Sequence, residues 1–194
     1  KNHAREFEGI VDHMYLDTKG HVTIGMGHKI ENAREARELP FFKKFPNGAE
    51  STNVSADDKQ EGYEEIKRGK DKKEVFLRLT DDAIDDLYAK DFIEHLGRAT
   101  RVLGDFDTYA LNAQIGILDI VYNVGSLEKY SNFTQAVKNR NWEIAAEQSK
   151  REVISPGVAI RNSDVMKLFQ NVAASEPFFR KSPKCSKPIS DIVA

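Results

Sequence analysis

The chain has 194 residues, 40% hydrophobic and 31% charged, a balance that suits one packed, water-facing domain with room for two lobes sharing a core. A formal net charge of -2 disfavours a globally basic nucleic-acid binder, and the single cysteine, Cys185, excludes an intramolecular disulfide. No apolar run approaches the ~18 residues of a membrane span, no signal-peptide pattern is present, and the start at Lys1-Asn2-His3 reads as a piece of a longer polypeptide.

In chain order, Phe7, Ile10, Val11 and Met14 recur at helical spacing and predict a short amphipathic helix over residues 4–13. The period then changes. In "YLDTKGHVTIGMG", Asp17-Thr18-Lys19-Gly20 is turn chemistry, and Val22 and Ile24 alternate with Thr23 and Gly25, predicting a small glycine-rich hairpin. Residues 31–78 shift in composition. "ENAREAREL" predicts a charged surface helix with Arg34 and Glu38 at i,i+4, "PFFKKFPNGAESTN" a loop with three Phe, and "ADDKQEGYEEIKRGKDKKE" a charge-dominated stretch; the whole region reads as an elaborated second lobe, irregular in places and mobile. Thr80 is the expected N-cap of a long helix with Asp81 and Asp82 in its first turn and Ile84, Leu87, Tyr88 and Phe92 on its apolar face. "YALNAQIGILDIVYNVG" is apolar on most sides and predicts the central buried helix, ended by Gly125. Shorter helices are expected over 133–138, 142–151 and 163–173, followed by a proline-bearing, extended tail from Ser175. No internal repeat is present.

The opening third carries the chemistry. Two carboxylates and a hydroxyl, on a helix end and a hairpin, suit glycosidic cleavage: one carboxyl protonates the leaving oxygen, the other activates water or attacks the sugar. Glu8, flanked by Phe7 and near Ile10, suits the acid, which must stay protonated near neutrality in a partly apolar setting. Asp17, beside Thr18 and Lys19, is expected to be solvated and ionised, and the Thr23 hydroxyl is placed to hold a water. Taken singly, Glu8 reads first as a solvated surface acid and Asp17 as a turn former.

"EG" followed by "YLDTKGHVTIGMGH" resembles the catalytic signature of the phage-type lysozymes, with Asp17 nine residues after Glu8 and Thr23 six after Asp17. "LRLTDDAIDDLYAKDF", "ILDIVYNVG", "FTQAV", "NWEIAAEQ" and "AIRNS" follow in that family's order, so the likeness spans most of residues 5–172. The resemblance implies an α+β, mainly helical, two-lobed lysozyme-like fold, with a small β-hairpin sheet lobe and a larger helical lobe. It further implies hydrolysis of the β-1,4 bond between N-acetylmuramic acid and N-acetylglucosamine in peptidoglycan. Glu8 matches the general acid, and Asp17 with Thr23 the pair that positions the attacking water in an inverting reaction, an outcome that the carboxyl separation decides. Arg161 matches the arginine that pairs with the acid and more plausibly orients it than keeps it protonated. His28 closes the signature in a structural role. Tyr122, Asn123 and Gln148 match cleft positions that contact sugar.

The chain also departs from the family. The 31–78 segment is longer and more charged than the usual small lobe, and Val153 stands where an aromatic is expected. Phe7 replaces the Asp that precedes the acid in the best-known member, and Asp164 replaces that Asp's basic partner. Phe41, Phe42 and Phe45 are expected to pack the small lobe, with a glycan or partner patch as the alternative. "KRGKDKK" is expected to be a solvated loop rather than a grip on anionic polymers. Residues 1–174 are expected to form the catalytic domain, with 31–78 as an insertion, and 175–194 a C-terminal extension. No zinc spacing, P-loop or dinucleotide pattern is present, so no metal or cofactor is expected.

The expected partner is bacterial peptidoglycan, with a cognate immunity or inhibitor protein if the chain is a toxin; nucleic acid and a membrane span are not expected, and a monomer is. The expected place of action is the bacterial periplasm or cell wall, reached as part of a larger secreted or phage protein. The competing readings are a non-hydrolytic peptidoglycan-binding module and a structural module of the same fold.

Overall fold

A computed structural model describes residues 9–70, 75–152 and 156–179. The chain is α+β and mainly helical, with two small antiparallel sheets. It divides into two compact units, Lys1–Asp91 and Phe92–Ala194, with the boundary inside a long helix.

The first unit opens with strands β1 (Val11–Leu16), β2 (Val22–Gly25) and β3 (His28–Lys29), in the order β1-β2-β3. Here the expected helix over 4–13 is corrected. Residues 9–10 carry no regular structure and 11–13 lie in β1; residues 4–8 fall outside the described residues. Gly9 sits at φ 67, which ends any helix running into it, and pairing with β2 then overrides the helical period. Met14 is buried while Ile10 is 45% exposed, so the apolar residues that suggested one helical stripe do not share a face. The hairpin turn is as expected: Gly20, at φ 79, donates its N–H to the Asp17 carbonyl at 3.0 Å.

The charge-rich segment is more regular than its composition predicts. Helix α1 (Ala33–Glu38) is N-capped by Asn32. The three-Phe stretch is not a plain loop. It forms β4 (Phe42–Lys44) and β5 (Glu50–Ser51), which join β6 (Leu77–Arg78) in the order β5-β4-β6. Phe41 is buried, Phe42 half-buried, and exposed Phe45 sets its ring 5.7 Å from that of Phe76. Helix α2 (Ala56–Lys67) begins with a capping box, Ser55 Oγ accepting from the Asp58 N–H while the Asp58 carboxylate accepts from the Ser55 N–H. Tyr63 and Ile66 are buried, and a Cβ on Gly62 would lie 2.6 Å from Leu77 Cδ1, so the helix packs tightly over β6. The Lys59 ammonium donates to the carbonyls of Arg37 and Leu39, closing the end of α1.

Helix α3 (Asp81–Leu103) starts as expected, with the Thr80 hydroxyl accepting from the Ala83 N–H at 3.2 Å. In the second unit α4 (Leu111–Val124) is the central helix, and Gly125 caps it at φ 78. Around it lie α5 (Ser131–Lys138), α6 (Trp142–Gln148) and α7 (Pro156–Phe179). Their core is aromatic: Phe169 stands edge-on to Phe133 at 5.5 Å and stacks with Trp142 at 6.3 Å. Gly116 makes room for it, since a Cβ there would meet the Phe169 ring at 2.8 Å. Helix α7 starts earlier than expected and runs through Ser175 to Phe179, so the tail does not become extended at Ser175. Residues 180–194 lie outside the described residues.

Candidate active site

The hairpin turn gathers its chemistry on His21. Asp17 Oδ1 accepts from the backbone N–H groups of Lys19 and His21, each at 2.8 Å, and Oδ2 accepts from His21 Nδ1 at 3.2 Å. Desolvation pushes this carboxyl upward, but the hydrogen bonds from the His21 backbone, the His21 ring and the Lys19 backbone outweigh it and hold the group below its ordinary range. Asp17 is therefore ionised at neutral pH. A carboxylate has about four lone-pair positions; three are occupied here, and the remaining one, on Oδ2, can take a water.

Thr23 sits on β2, 4% exposed, opposite Tyr15, and its hydroxyl donates to the His21 carbonyl at 3.3 Å. Asp17 and Thr23 are thus brought to the same residue from either side of the turn. Nothing in the motif as first read singled out His21. The cue was its position four residues after Asp17, the spacing at which a turn Asp meets the chain coming back.

His28 is buried on β3. Its Nδ1–H donates to Asp91 of α3, with both carboxylate oxygens at 2.9 Å, and its Nε2 lies 3.4 Å from Glu35 Oε1. This fastens the small sheet to α3 and fits the structural role. Asp91 was not anticipated, because 63 residues separate it from His28.

In the second unit, Tyr122 is half-buried near the end of α4, its ring 4.8 Å from that of His95 and tilted 35° from it. The Asn123 amide donates to the Asp119 carbonyl at 2.7 Å, and Gln148 is exposed at the end of α6. Arg161 of α7 donates from Nε to Asp119 Oδ2 at 2.8 Å. Asp119 is itself buried and also lies 3.6 Å from Arg151 Nη2. An acid inside the apolar run "ILDIVYNVG" was the available signal for it. Asn162 holds Arg151 three ways: its Oδ1 accepts from Arg151 N and Nε, and its amide donates to the Arg151 carbonyl.

Glu8, Phe7 and Val153 lie outside the described residues. Asp164 of α7 pairs with Lys167 at 3.2 Å. Among the described residues no group of three or more His, Cys, Asp or Glu side chains is placed to hold a metal ion, and no helix is long and apolar enough to cross a membrane. A scan against protein-family models and a search of curated proteins each returned no match.

Proposed function

We propose that the chain is a peptidoglycan hydrolase that cleaves the β-1,4 bond between N-acetylmuramic acid and N-acetylglucosamine. In this reading Glu8 protonates the leaving oxygen, and Asp17 and Thr23 position the attacking water. Tyr122, Asn123 and Gln148 contact sugar, and Arg161 orients the acid. The observation that carries the reading is the Asp17 carboxylate. It is held ionised on a rigid turn, with one acceptor position left for water and the Thr23 hydroxyl bound to the same His21. A turn former alone has no need of the Thr23 hydroxyl.

The place of action is the bacterial wall or periplasm, and the delivery vehicle a larger secreted or phage protein. If the chain is a toxin, a cognate immunity protein is its partner in the producing cell.

The test is digestion of purified peptidoglycan by the chain and by Glu8→Gln, with products identified by mass spectrometry. Muropeptides ending in reducing N-acetylmuramic acid, absent with the variant, are the expected result. Anhydro ends would instead mark a lytic transglycosylase. Retention on the wall pellet without products would leave a binding module.

A further inference from the structure

The two oxygens of the Asp17 carboxylate are held differently. Oδ1 accepts from the backbone N–H groups of Lys19 and His21, each at 2.8 Å, which any non-proline residues would supply. Oδ2 accepts from the His21 ring at 3.2 Å, and of the three bonds this one alone depends on the donor's side chain. An ionised carboxylate only accepts, so His21 Nδ1 carries the proton. Both side chains are part-exposed, 40% for His21 and 30% for Asp17, so water reaches the pair.

The turn itself does not need the ring. The His21 carbonyl accepts from the Asp17 N–H at 2.9 Å and from the Thr23 hydroxyl at 3.3 Å. These bonds, with those on Oδ1, are made by the main chain at position 21 whatever its side chain. A carboxylate anchored through one oxygen still pivots about that oxygen. A donor on the second oxygen fixes its plane, and with it the direction of the open Oδ2 lone pair.

We propose that the His21 ring is a positioning residue for the hydrolysis, acting through Asp17: its Nδ1–H orients Oδ2 so that the remaining acceptor position meets the attacking water. This rests on the function proposed above. Two effects oppose each other when the ring donor is lost. The carboxylate becomes a stronger base, because the ring bond favours its ionised form. It also loses its aim, and misplacement by about 1 Å costs up to about a hundredfold, more than the basicity of one hydrogen bond returns.

His21→Ala should therefore lower kcat about tenfold, with KM changed by less than about threefold, because Asp17 acts on water rather than on bound sugar. His21→Phe keeps a ring without the donor and should fall equally. His21→Asn offers an amide N–H in place of Nδ1–H and should recover most of the lost kcat. In an Asp17→Asn background, His21→Ala should lower kcat by less than about twofold further, since the group it acts through is already silent.

The experiment is steady-state hydrolysis of soluble peptidoglycan fragments by the wild type and these variants, each checked for folding by circular dichroism. If His21→Ala fails to fold, His21→Phe against His21→Asn carries the test. Suppose the wild type yields muropeptides, but kcat is unchanged in His21→Ala and His21→Phe, or falls as far in His21→Asn, or falls as far again in the Asp17→Asn background. Any of these overturns this inference and leaves the proposed function standing, as does a loss confined to KM. A wild type without hydrolytic products overturns both.

Discussion

Asp17 serves the turn and the proposed reaction with one carboxylate, and the two demands can be separated by substitution. Asp17→Asn keeps an acceptor for the Lys19 and His21 N–H groups but loses the charge. Hydrolysis should fall by about a hundredfold or more, with the hairpin intact by NMR; unchanged hydrolysis would remove Asp17 from the mechanism. Asp17→Ala loses the acceptors as well and should cost about 2 kcal/mol of stability, read from denaturant unfolding. The pH sense follows from the lowered carboxyl. Its stabilising contribution is complete above the unfolded value, ~3.9, and disappears as pH falls through the folded value, so the turn weakens only in acid. His28 shows the opposite case, a signature residue whose contacts are structural, between Asp91 and Glu35.

At the scale of elements, β1 and α2 are where local pattern and tertiary context part company. Val11 and Met14, placed by the helical spacing in one stripe, lie instead in β1, because Gly9 sits at φ 67 and pairing with β2 sets the period from Val11 onward. Helix α2 was hidden by its own charge. Its start rests on the Ser55–Asp58 capping box, a signal that a count of acids and bases does not register. The same box has a pH signature. Hydrogen bonds from Lys43 and Ser55 lower the Asp58 carboxyl to about 2. Its contribution to α2 should therefore be full above ~4 and be lost as pH falls toward about 2. Asp58 is a surface group, so the effect is screened and modest. Comparing α2 amide exchange in the wild type and Asp58→Asn should show a difference at pH 5 that closes toward pH 2; a difference that persists at pH 2 would place the cap's strength elsewhere. By contrast, α3, α4 and their caps were legible, because Thr80, the first-turn acids and Gly125 are adjacent in sequence to the ends they terminate.

For the whole molecule, charge balance bears on how the proposed substrate is met. A formal net charge of -2 gives little long-range attraction to an acidic wall polymer. The rate of wall hydrolysis should therefore change by less than about threefold between low and physiological salt, where a strongly basic protein would slow steeply as screening shortens the Debye length to about 8 Å. Turbidity clearing of wall suspensions across a salt series reads this directly, and a steep fall would point to a local basic patch that governs binding.

The sequence by itself determined the mainly helical class, the glycine turn of the hairpin, and the Glu8–Asp17–Thr23 spacing that carries the resemblance behind the proposed function. Each depends on residues close together in the chain, where period, turn and cap chemistry act locally. Only the tertiary structure decided that residues 11–13 form a strand, that His21 joins Asp17 to Thr23, and that His28 belongs to Asp91. It alone gathered Arg151 and Arg161 around the buried Asp119 carboxylate. Such contacts depend on which surfaces are removed from water together: a buried charge must find its counterpart wherever packing brings one, and packing does not follow sequence distance.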